Sequence, residues 1–375
     1  MPCRQLVRRS RVLLALSAAT LGAANCDNTG PDGPVRIAWS ASIGGTFGWQ
    51  GVPAIAGGIA VVEDGSALLA LDVSTGAQRW RTQLRQGVAV NADAIAIASG
   101  RVFTAGGDSV YALSLSSGAR LWAFLPDDQA AACQLSADAD AVYVGTRTHR
   151  VYALDALTGA VRWVVDIGPG WQFEGIVVGT AVVLDTVFVT AVQYLNSSGG
   201  FRAGHVIALD RTTGARLWGY VSPGQGSDAS GAAGAVDGLL VVGDGYGSFF
   251  ALDRATGLER WRVPTAAGFG GVLSTPVVQT GRIFAGSQGG VYAADLATGS
   301  VLWSNTEEYA ARDVAVCNGV LLVQRQMIQA LDPDNGGPLG SPLLDGQVEF
   351  PTSRIAVSGR DAIVVGPGKV YGLRC

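Results

Sequence analysis

The sequence predicts an all-β fold: an eight-bladed β-propeller of four-stranded antiparallel blades, its ring closed by an N-terminal strand that pairs with the C-terminal strand. Three observations support this prediction. One segment recurs along most of the sequence, the composition suits many short strands and turns, and a final copy of the segment is split between the two ends of the sequence.

The recurring segment reads Leu-Asp-x-x-Thr-Gly, with a tryptophan four residues after the glycine. Six copies are clear, and a seventh, around Gly336, is degenerate and has no tryptophan. Neighbouring copies lie roughly 42 residues apart, with one wider spacing of roughly 55 before the fourth copy. The repeat residues are Asp72, Gly76 and Trp80; Gly118 and Trp122; Asp155, Gly159 and Trp163; Asp210, Gly214 and Trp218; Asp253, Gly257 and Trp261; and Asp295, Gly299 and Trp303.

Each unit holds four short strands separated by turn residues. In the unit that ends at Trp163, the pattern predicts strands near residues 134–137, 141–144, 151–154 and 161–165. Four strands at this period are typical of one propeller blade. The degenerate seventh unit lacks the tryptophan, and we therefore expect the seventh blade to pack most weakly against its neighbour.

The eighth unit is divided between the two ends of the sequence. Residues 370–373 repeat the third-strand pattern, but no turn and no tryptophan follow them. Residues 35–39 read as a fourth strand that ends in Trp39, with no strand before it. Joining the two segments completes an eighth blade and removes the open sheet edges that would favour aggregation.

The repeat residues have structural roles in this prediction. The aspartate at the start of the turn accepts hydrogen bonds from backbone N–H groups two or three residues later. The glycine supplies the positive φ that the turn requires. The tryptophan docks against the next blade, and burial of about 200 Å² contributes on the order of 5 kcal/mol before opposing terms.

Composition excludes several classes of protein. Only 15% of the 375 residues are charged, 53 are glycine and 9 are tryptophan, and the mean hydropathy of +0.29 is too high for a disordered chain. The longest apolar run without a charge, Val12–Ala24, is shorter than the roughly 20 residues of a membrane-spanning helix. A net charge of −4 with a single lysine, Lys369, argues against a nucleic-acid partner.

The first residues have the layout of a secretory signal. Four arginines precede the apolar run Val12–Leu16, small residues continue to Ala24, and no acidic residue occurs before Asp27. Two processing routes stay open: acylation of Cys26 at a lipobox-like sequence with unusual residues, or ordinary cleavage after Ala24. The predicted organisation is a signal peptide at residues 1–25, a polar tether at 26–34 and a propeller at 35–375.

The remaining cysteines show no metal-binding spacing. We expect Cys133 and Cys317 to be buried free thiols. If Cys26 is not acylated, ring closure brings it within reach of Cys375, and a disulfide between these two cysteines becomes an alternative in an exported protein.

The repeat resembles that of propellers of the pyrroloquinoline-quinone (PQQ) type, and the resemblance extends over nearly the whole chain. That family includes quinoprotein alcohol dehydrogenases, the propeller lipoprotein of the bacterial outer-membrane β-barrel assembly machinery, and non-enzymatic envelope proteins. Membership of the dehydrogenase branch would imply a quinone held beneath a disulfide of adjacent cysteines, beside a calcium ion and a catalytic aspartate. This sequence has no adjacent cysteines, so the resemblance carries the fold and not the cofactor residues.

Other catalytic patterns are weak. The two histidines, His149 and His205, each precede a third strand in adjacent blades, and no nearby cysteine, aspartate or glutamate completes a metal site. We therefore interpret them as surface histidines. The sequence shows no Ser-His-Asp spacing and no phosphate-binding loop, so we predict no catalytic residues, no metal and no cofactor.

Aromatic residues recur in the connections that lead from one blade into the next. These connections converge near the central funnel, where exposed aromatic side chains suit recognition of a peptide or protein. The alternative is that they cap the core locally. The partner-binding candidates are Phe47, Trp49, Trp171, Phe173, Phe269, Tyr309 and Phe350.

The sequence therefore predicts an exported, lipid-anchored and monomeric propeller of the bacterial envelope that binds envelope proteins or peptide segments without catalysis. The favoured role is a scaffold in envelope protein assembly. One alternative is a PQQ- or small-ligand-binding enzyme or sensor, and another is a structural surface protein.

Overall fold

The chain folds entirely into β-strands and turns in the computed structural model, within the residues that the structure describes. Within the described residues, no helix is long and apolar enough to cross a bilayer. The described residues are 33–44, 52–84, 90–127, 135–168, 175–194, 202–222, 229–230, 235–244, 247–265, 274–306, 310–343 and 354–375.

Blades 1 to 4 each contain four consecutive strands. Blade 1 contains β2 (Ala54–Ala56), β3 (Ile59–Asp64), β4 (Ala67–Asp72) and β5 (Gln78–Gln83). Blade 2 contains β6 (Val90–Ala98), β7 (Arg101–Gly106), β8 (Ser109–Ser114) and β9 (Arg120–Phe124). Blade 3 contains β10 (Ser136–Ala137), β11 (Ala141–Gly145), β12 (Arg150–Asp155) and β13 (Val161–Asp166). Blade 4 contains β14 (Gly175–Val183), β15 (Thr186–Tyr194), β16 (Arg202–Asp210) and β17 (Arg216–Val221).

The other four blades include two variations. Blade 5 contains β18 (Ala229–Ser230) and β19 (Ala235–Val236), which share the first position, then β20 (Leu239–Asp244), β21 (Ser248–Asp253) and β22 (Glu259–Pro264). Blade 6 contains β23 (Val277–Gln279), β24 (Arg282–Ser287), β25 (Gly290–Asp295) and β26 (Val301–Asn305). Blade 7 contains β27 (Asp313–Cys317), β28 (Val320–Gln324) and β29 (Ile328–Leu331). Blade 8 contains β30 (Ala356–Ser358), β31 (Asp361–Gly366), β32 (Lys369–Arg374) and β1 (Arg36–Ser42).

The ring closes as the sequence predicts. In blade 8, β1 pairs antiparallel with β32, and Trp39 lies opposite Gly372. The four strands predicted in blade 3 are also observed, with boundaries that differ by one or two residues. The eight-bladed, all-β fold class is therefore confirmed.

The antiparallel order places successive turns on opposite faces of the disc. We call one face the motif face, because it carries the turns at residues 72–77, 114–119, 155–160, 210–215, 253–258, 295–300 and 332–337. The opposite face, where second strands lead into third strands, is the hairpin face. The short turns between first and second strands also lie on the motif face, and pairs such as Asp237–Gly238 and Asn318–Gly319 have both residues at positive φ, which suits a two-residue hairpin.

The hydrophobic core lies between neighbouring blades. Second and third strands are buried on both faces, as in β11, where all five residues are buried. One cluster joins Phe103 of blade 2 to Tyr152 of blade 3, and comparable clusters lie between other blades. Fourth strands are buried on one side only, so the tryptophan side faces the next blade.

Blade 7 has an irregular fourth position. Residues 338–343 do not form a regular strand. They pair with β29 only through two isolated bridges, Leu331 to Pro338 and Ile328 to Leu343. This is the blade without a repeat tryptophan, and a glycine at position 340 with a φ of 97° interrupts the segment.

Candidate functional site

The aspartate of each repeat organises the turn on the motif face. In blade 1, Asp72 Oδ1 accepts hydrogen bonds from the backbone N–H groups of Ser74 and Thr75, both at 3.0 Å. The Gly76 N–H donates to the Asp72 carbonyl at 2.8 Å, and Arg79 pairs with the other carboxylate oxygen. The carboxylate is thus engaged inside its own turn.

These interactions favour the ionised carboxylate. Hydrogen bonds from the side chains of Ser74, Arg79 and Thr75 hold the pKa of Asp72 well below its usual range. The Arg260 side chain and then the Thr256 hydroxyl and N–H lower the pKa of Asp253 from 3.8 to about 2. The pKa values of the other three repeat aspartates shift in the same direction.

Asp253→Asn should reduce the sensitivity of the fold to acid. Because the folded pKa of Asp253 lies below its ordinary value, the carboxylate stabilises the fold above about pH 4, and this contribution is lost as the pH falls towards about 2. The midpoint of urea unfolding, measured at about pH 5 and about pH 2.5, should therefore fall less in the variant than in the wild type. Asp237→Asn, at an exposed hairpin turn, is the control and should retain the wild-type difference. Equal acid sensitivity of all three proteins would contradict the turn's role.

The glycine and tryptophan of the repeat form a clasp between neighbouring blades. Trp80 of blade 1 donates its indole N–H to the Leu115 carbonyl of blade 2 at 2.8 Å. Its ring lies against Gly118, where an added Cβ would come within 2.6 Å of the ring. The tryptophan clasp therefore consists of one indole bond and one close ring-to-glycine contact.

Seven blade junctions within the described residues carry this clasp. The indole bonds are 2.7–3.2 Å long, and the seven glycines have φ values of 70–74°. The clasps are Trp39 with Val73 and Gly76; Trp80 with Leu115 and Gly118; Trp122 with Ala156 and Gly159; Trp163 with Arg211 and Gly214; Trp218 with Arg254 and Gly257; Trp261 with Leu296 and Gly299; and Trp303 with Pro333 and Gly336.

Two expectations about the cysteines are wrong. Cys317 is not a free thiol but forms a disulfide with Cys375, and this bond also replaces the alternative pairing of Cys375 with Cys26. The physical reason is the ring: the end of β27 in blade 7 and the end of β32 in blade 8 both reach the motif face at adjacent blades. Cys26 and Cys133 lie outside the described residues.

Ion pairs with a buried aspartate and a more exposed arginine lie on the hairpin face of blades 1 and 5. In blade 1, Arg81 Nε lies 2.6 Å from the carboxylate of Asp64, whose side chain is only 7% exposed. The Gly44 N–H donates to the same carboxylate at 2.6 Å. In the eight-bladed ring these two blades lie opposite each other.

The pair in blade 5 is part of a larger network. Arg262 Nη1 lies 2.7 Å from Asp244, and Nη2 donates to Tyr220 Oη at 2.8 Å and approaches Glu259 at 3.0 Å. The guanidinium also stacks 4.3 Å from the centre of the Phe250 ring. Burial, together with the hydrogen bond to Glu259, raises the pKa of Tyr220 to about 12.

Sequence reasoning missed these pairs, although a signal was present. The dipeptide Trp-Arg occurs at residues 80–81 and 261–262, and in both blades an aspartate ends the second strand. The pairing depends on the second and fourth strands of a blade, which are not hydrogen-bonded neighbours.

The two histidines have different surroundings. His149 Nδ1 lies 2.8 Å from Asp166 on the hairpin face, and the side chain is 30% exposed. His205 lies within β16 rather than before it and is half-buried, so it is not the surface histidine that we predicted. Burial, with a contribution from Arg216, lowers the pKa of His205 to about 4. Among the described residues, no group of three histidine, cysteine, aspartate or glutamate side chains is arranged to hold a metal ion.

The predicted partner-binding aromatics stay a prediction. Phe47, Trp49, Trp171, Phe173, Phe269, Tyr309 and Phe350 all lie outside the described residues. The strands that flank them are described: the connections leave the fourth strands at the hairpin face, the face that carries the two ion pairs.

A second group of exposed side chains lies on or beside the outer strands of blades 2, 3, 4 and 6. We call it the apolar rim. It consists of eight aliphatic side chains that are 46–55% exposed, namely Leu121, Leu125, Val161, Val164, Leu217, Val221, Val301 and Leu302. Directly before the tryptophan, the outer strands of blades 1, 3 and 5 present an arginine, namely Arg79, Arg162 and Arg260. The signal in the sequence was a leucine directly before the repeat tryptophan in blades 2, 4 and 6.

The fold and its clasps define a propeller built from PQQ-like repeats. The chain belongs to the family whose model is described as outer membrane protein assembly factor BamB, which matches residues 32–196 and 133–339.

Two curated relatives show the range of proteins that contain this repeat. The chain is 26% identical to outer membrane protein assembly factor BamB of Yersinia pestis over 331 residues, which cover 82% of this chain and 70% of that protein. It is 30% identical to serine/threonine-protein kinase AfsK of Streptomyces griseus over 147 residues, or 38% of this chain. The matched part spans only 17% of the kinase.

Solved structures of similar fold include a dehydrogenase. A europium-containing methanol dehydrogenase superposes with a TM-score of 0.70 at 16% identity, covering 91% of this chain and 93% of that chain. At this level of identity the likeness shows the fold alone.

Proposed function

We propose that the protein is a non-catalytic binding scaffold of the bacterial cell envelope that acts in outer-membrane protein assembly. The observation that carries the proposal is the family match over residues 32–196 and 133–339, which covers most of the propeller. The resemblance to BamB of Yersinia pestis supports the same role. In this proposal residues 1–25 direct export, residues 26–34 form a tether, and acylation at Cys26 anchors the monomeric propeller.

The use of the repeat residues supports binding rather than catalysis. The Asp72 carboxylate is bonded within its own turn, and the Trp80 indole is bonded to the next blade. These groups stabilise the ring and are not directed towards a substrate. The proposal needs no metal and no cofactor.

Two surfaces are available for a protein partner. The first is the hairpin face, where the predicted aromatic loops contain Trp49 and Trp171. The second is the apolar rim, whose exposed aliphatic side chains suit contact with apolar segments of a partner. In this proposal the partner is an envelope protein or an extended peptide segment of an assembling protein.

Crosslinked affinity purification from native envelopes tests the proposal. We expect the wild-type protein to recover components of the outer-membrane assembly machinery. Two double variants separate the surfaces: Trp49→Ala/Trp171→Ala for the loops and Leu121→Asn/Leu217→Asn for the rim. At least a tenfold loss of recovery is expected for the variant that removes a central contact, which corresponds to about 1.4 kcal/mol.

Three other outcomes are informative. Loss only in the rim variant would place the site on the rim and reject the loops. Recovery of the protein alone would contradict the assembly role. Stoichiometric binding of PQQ, or calcium-dependent reduction of a dye, would contradict the non-catalytic assignment and favour a quinoprotein-like enzyme or sensor.

A further inference from the structure

The junction between blades 7 and 8 lacks both halves of the tryptophan clasp. Blade 7 has no tryptophan after its turn at residues 332–337. In blade 8 the third and fourth strands, β32 and β1, come from opposite ends of the described chain, and no described residue of this blade occupies the place of the turn glycine. Leu339 and Leu343 pack at this junction instead, against the cluster that contains Tyr371 and Leu373.

A disulfide occupies this same junction. Cys317 ends β27 of blade 7, Cys375 follows β32 of blade 8, and their Cα atoms lie 6.0 Å apart. The Asn318 side chain also reaches the Cys375 carbonyl at 3.5 Å. The bond therefore links two blades rather than two strands of one blade.

Cys375 occupies the position that a clasp holds in the other blades. Its N–H donates to the Arg360 carbonyl at 2.9 Å, in the turn between the first two strands of its blade. Val73 and Leu115 make the same bond in blades 1 and 2, and their carbonyls are the acceptors of the indole bonds. The disulfide thus holds Cys375 in place. In the other blades the equivalent residue is held by the indole N–H of a tryptophan from the preceding blade.

We propose that the Cys317–Cys375 disulfide is a redox-dependent latch that closes the propeller at the junction between blades 7 and 8. When it is oxidised the ring is closed; when it is reduced the ring opens at this junction, while the seven tryptophan clasps keep the other junctions closed. This inference does not depend on the proposed function.

A dithiol reductant supplies the chemistry. Its thiolate attacks the sulfur of Cys375, which is partly exposed, and the fully buried Cys317 leaves as a thiolate that takes up a proton. The second thiol of the reductant then displaces Cys375. Two protein thiols are formed, and the reductant becomes a disulfide, so two electrons pass from the reductant to the protein.

The effect should be local because blade 8 stays attached to blade 1. Trp39 of β1 is bonded to the Val73 carbonyl and packs on Gly76 of blade 1. Blade 8 therefore moves with blade 1, and separation occurs on its blade 7 side. The bridge spans 58 residues, from the first strand of blade 7 to the end of the third strand of blade 8, so it constrains only this part of the ring.

Hydrogen exchange measured by mass spectrometry tests the latch. The folded protein is compared before and after treatment with dithiothreitol under native conditions, and alkylation with mass analysis confirms that both cysteines are reduced. We expect at least tenfold faster exchange in β27 and β32, and unchanged exchange in β12 and β13 of blade 3. Equal exchange before and after reduction, or faster exchange spread evenly around the ring, would overturn the proposal.

Two variants complete the test. Cys317→Ala/Cys375→Ala should reproduce the exchange pattern of the reduced protein without any reductant. Trp122→Phe removes the indole bond to Ala156 and should move the faster exchange to the junction of blades 2 and 3. If the double variant does not fold, the exchange of the reduced wild-type protein alone tests the proposal. A Trp122→Phe variant with faster exchange at blades 7 and 8 would overturn the local assignment.

Discussion

Trp80→Ala should lower the free energy of unfolding by about 3–5 kcal/mol. The side chain is 7% exposed, and it fills the space between blades 1 and 2 over Gly118. Alanine leaves a cavity between two sheets that are each held by their own hydrogen bonds, and it removes the indole donor to the Leu115 carbonyl. Urea unfolding followed by circular dichroism measures the loss.

Two further variants serve as controls for this prediction. Trp80→Phe keeps an aromatic ring but no donor, so its loss should be smaller than that of alanine. Leu217→Ala removes an exposed side chain of the apolar rim and should change the free energy of unfolding by less than about 0.5 kcal/mol. A Trp80→Ala protein as stable as Leu217→Ala would contradict the clasp.

Gly118→Ala should cost about 1–3 kcal/mol more than Gly100→Ala. Both glycines belong to blade 2 and have nearly the same φ, 70° and 72°, so the cost of placing alanine in the left-handed region, about 1–2 kcal/mol, is shared. A Cβ at position 118 would lie 2.6 Å from the Trp80 ring and from Thr82 Oγ1, whereas position 100 has no atom within 4 Å. The difference between the variants therefore measures the close contacts with the Trp80 ring and Thr82.

The same urea experiment gives this comparison. Equal losses for the two glycine variants would mean that the ring moves away without cost. In that case the close approach in the structure would not contribute to stability, and the clasp would consist of the indole bond alone.

The repeat pattern in the sequence was enough to predict most of the fold. Each blade is a local meander, so its strands are determined by turn residues and alternation that lie close together in the sequence. The eighth blade followed from two half-units, and Trp39 does lie opposite Gly372 in the strand pair that closes the ring. Confirmation of these elements reflects the local origin of the contacts.

Contacts between blades, and contacts between strands of one blade that are not neighbours, were harder to predict. The expectation of a weak seventh blade considered only the missing tryptophan and not a covalent link, although Cys317 follows a first strand and Cys375 occupies the position that accepts an indole. The Asp64–Arg81 and Asp244–Arg262 pairs depend on the relative position of two strands that do not pair directly. Such contacts need the three-dimensional arrangement of strands.

The functional proposal depends on separate roles for the repeat residues and the surface. The aspartates, glycines and tryptophans of the repeat are engaged in turns and junctions. Binding is then left to the apolar rim and to the predicted loops that contain Trp49 and Trp171. A scaffold of this kind requires direct contact with assembly proteins in the envelope.

Site-specific photocrosslinking in intact cells tests this contact most directly. A photoreactive amino acid is placed at position 49, 171, 121 or 217 in otherwise wild-type protein, with the outer strand of blade 5, at position 260, as the control. We predict covalent adducts with outer-membrane assembly components from the loop or rim positions and none from position 260. Absence of adducts from all four positions, in protein shown to be folded and exported, would contradict the scaffold.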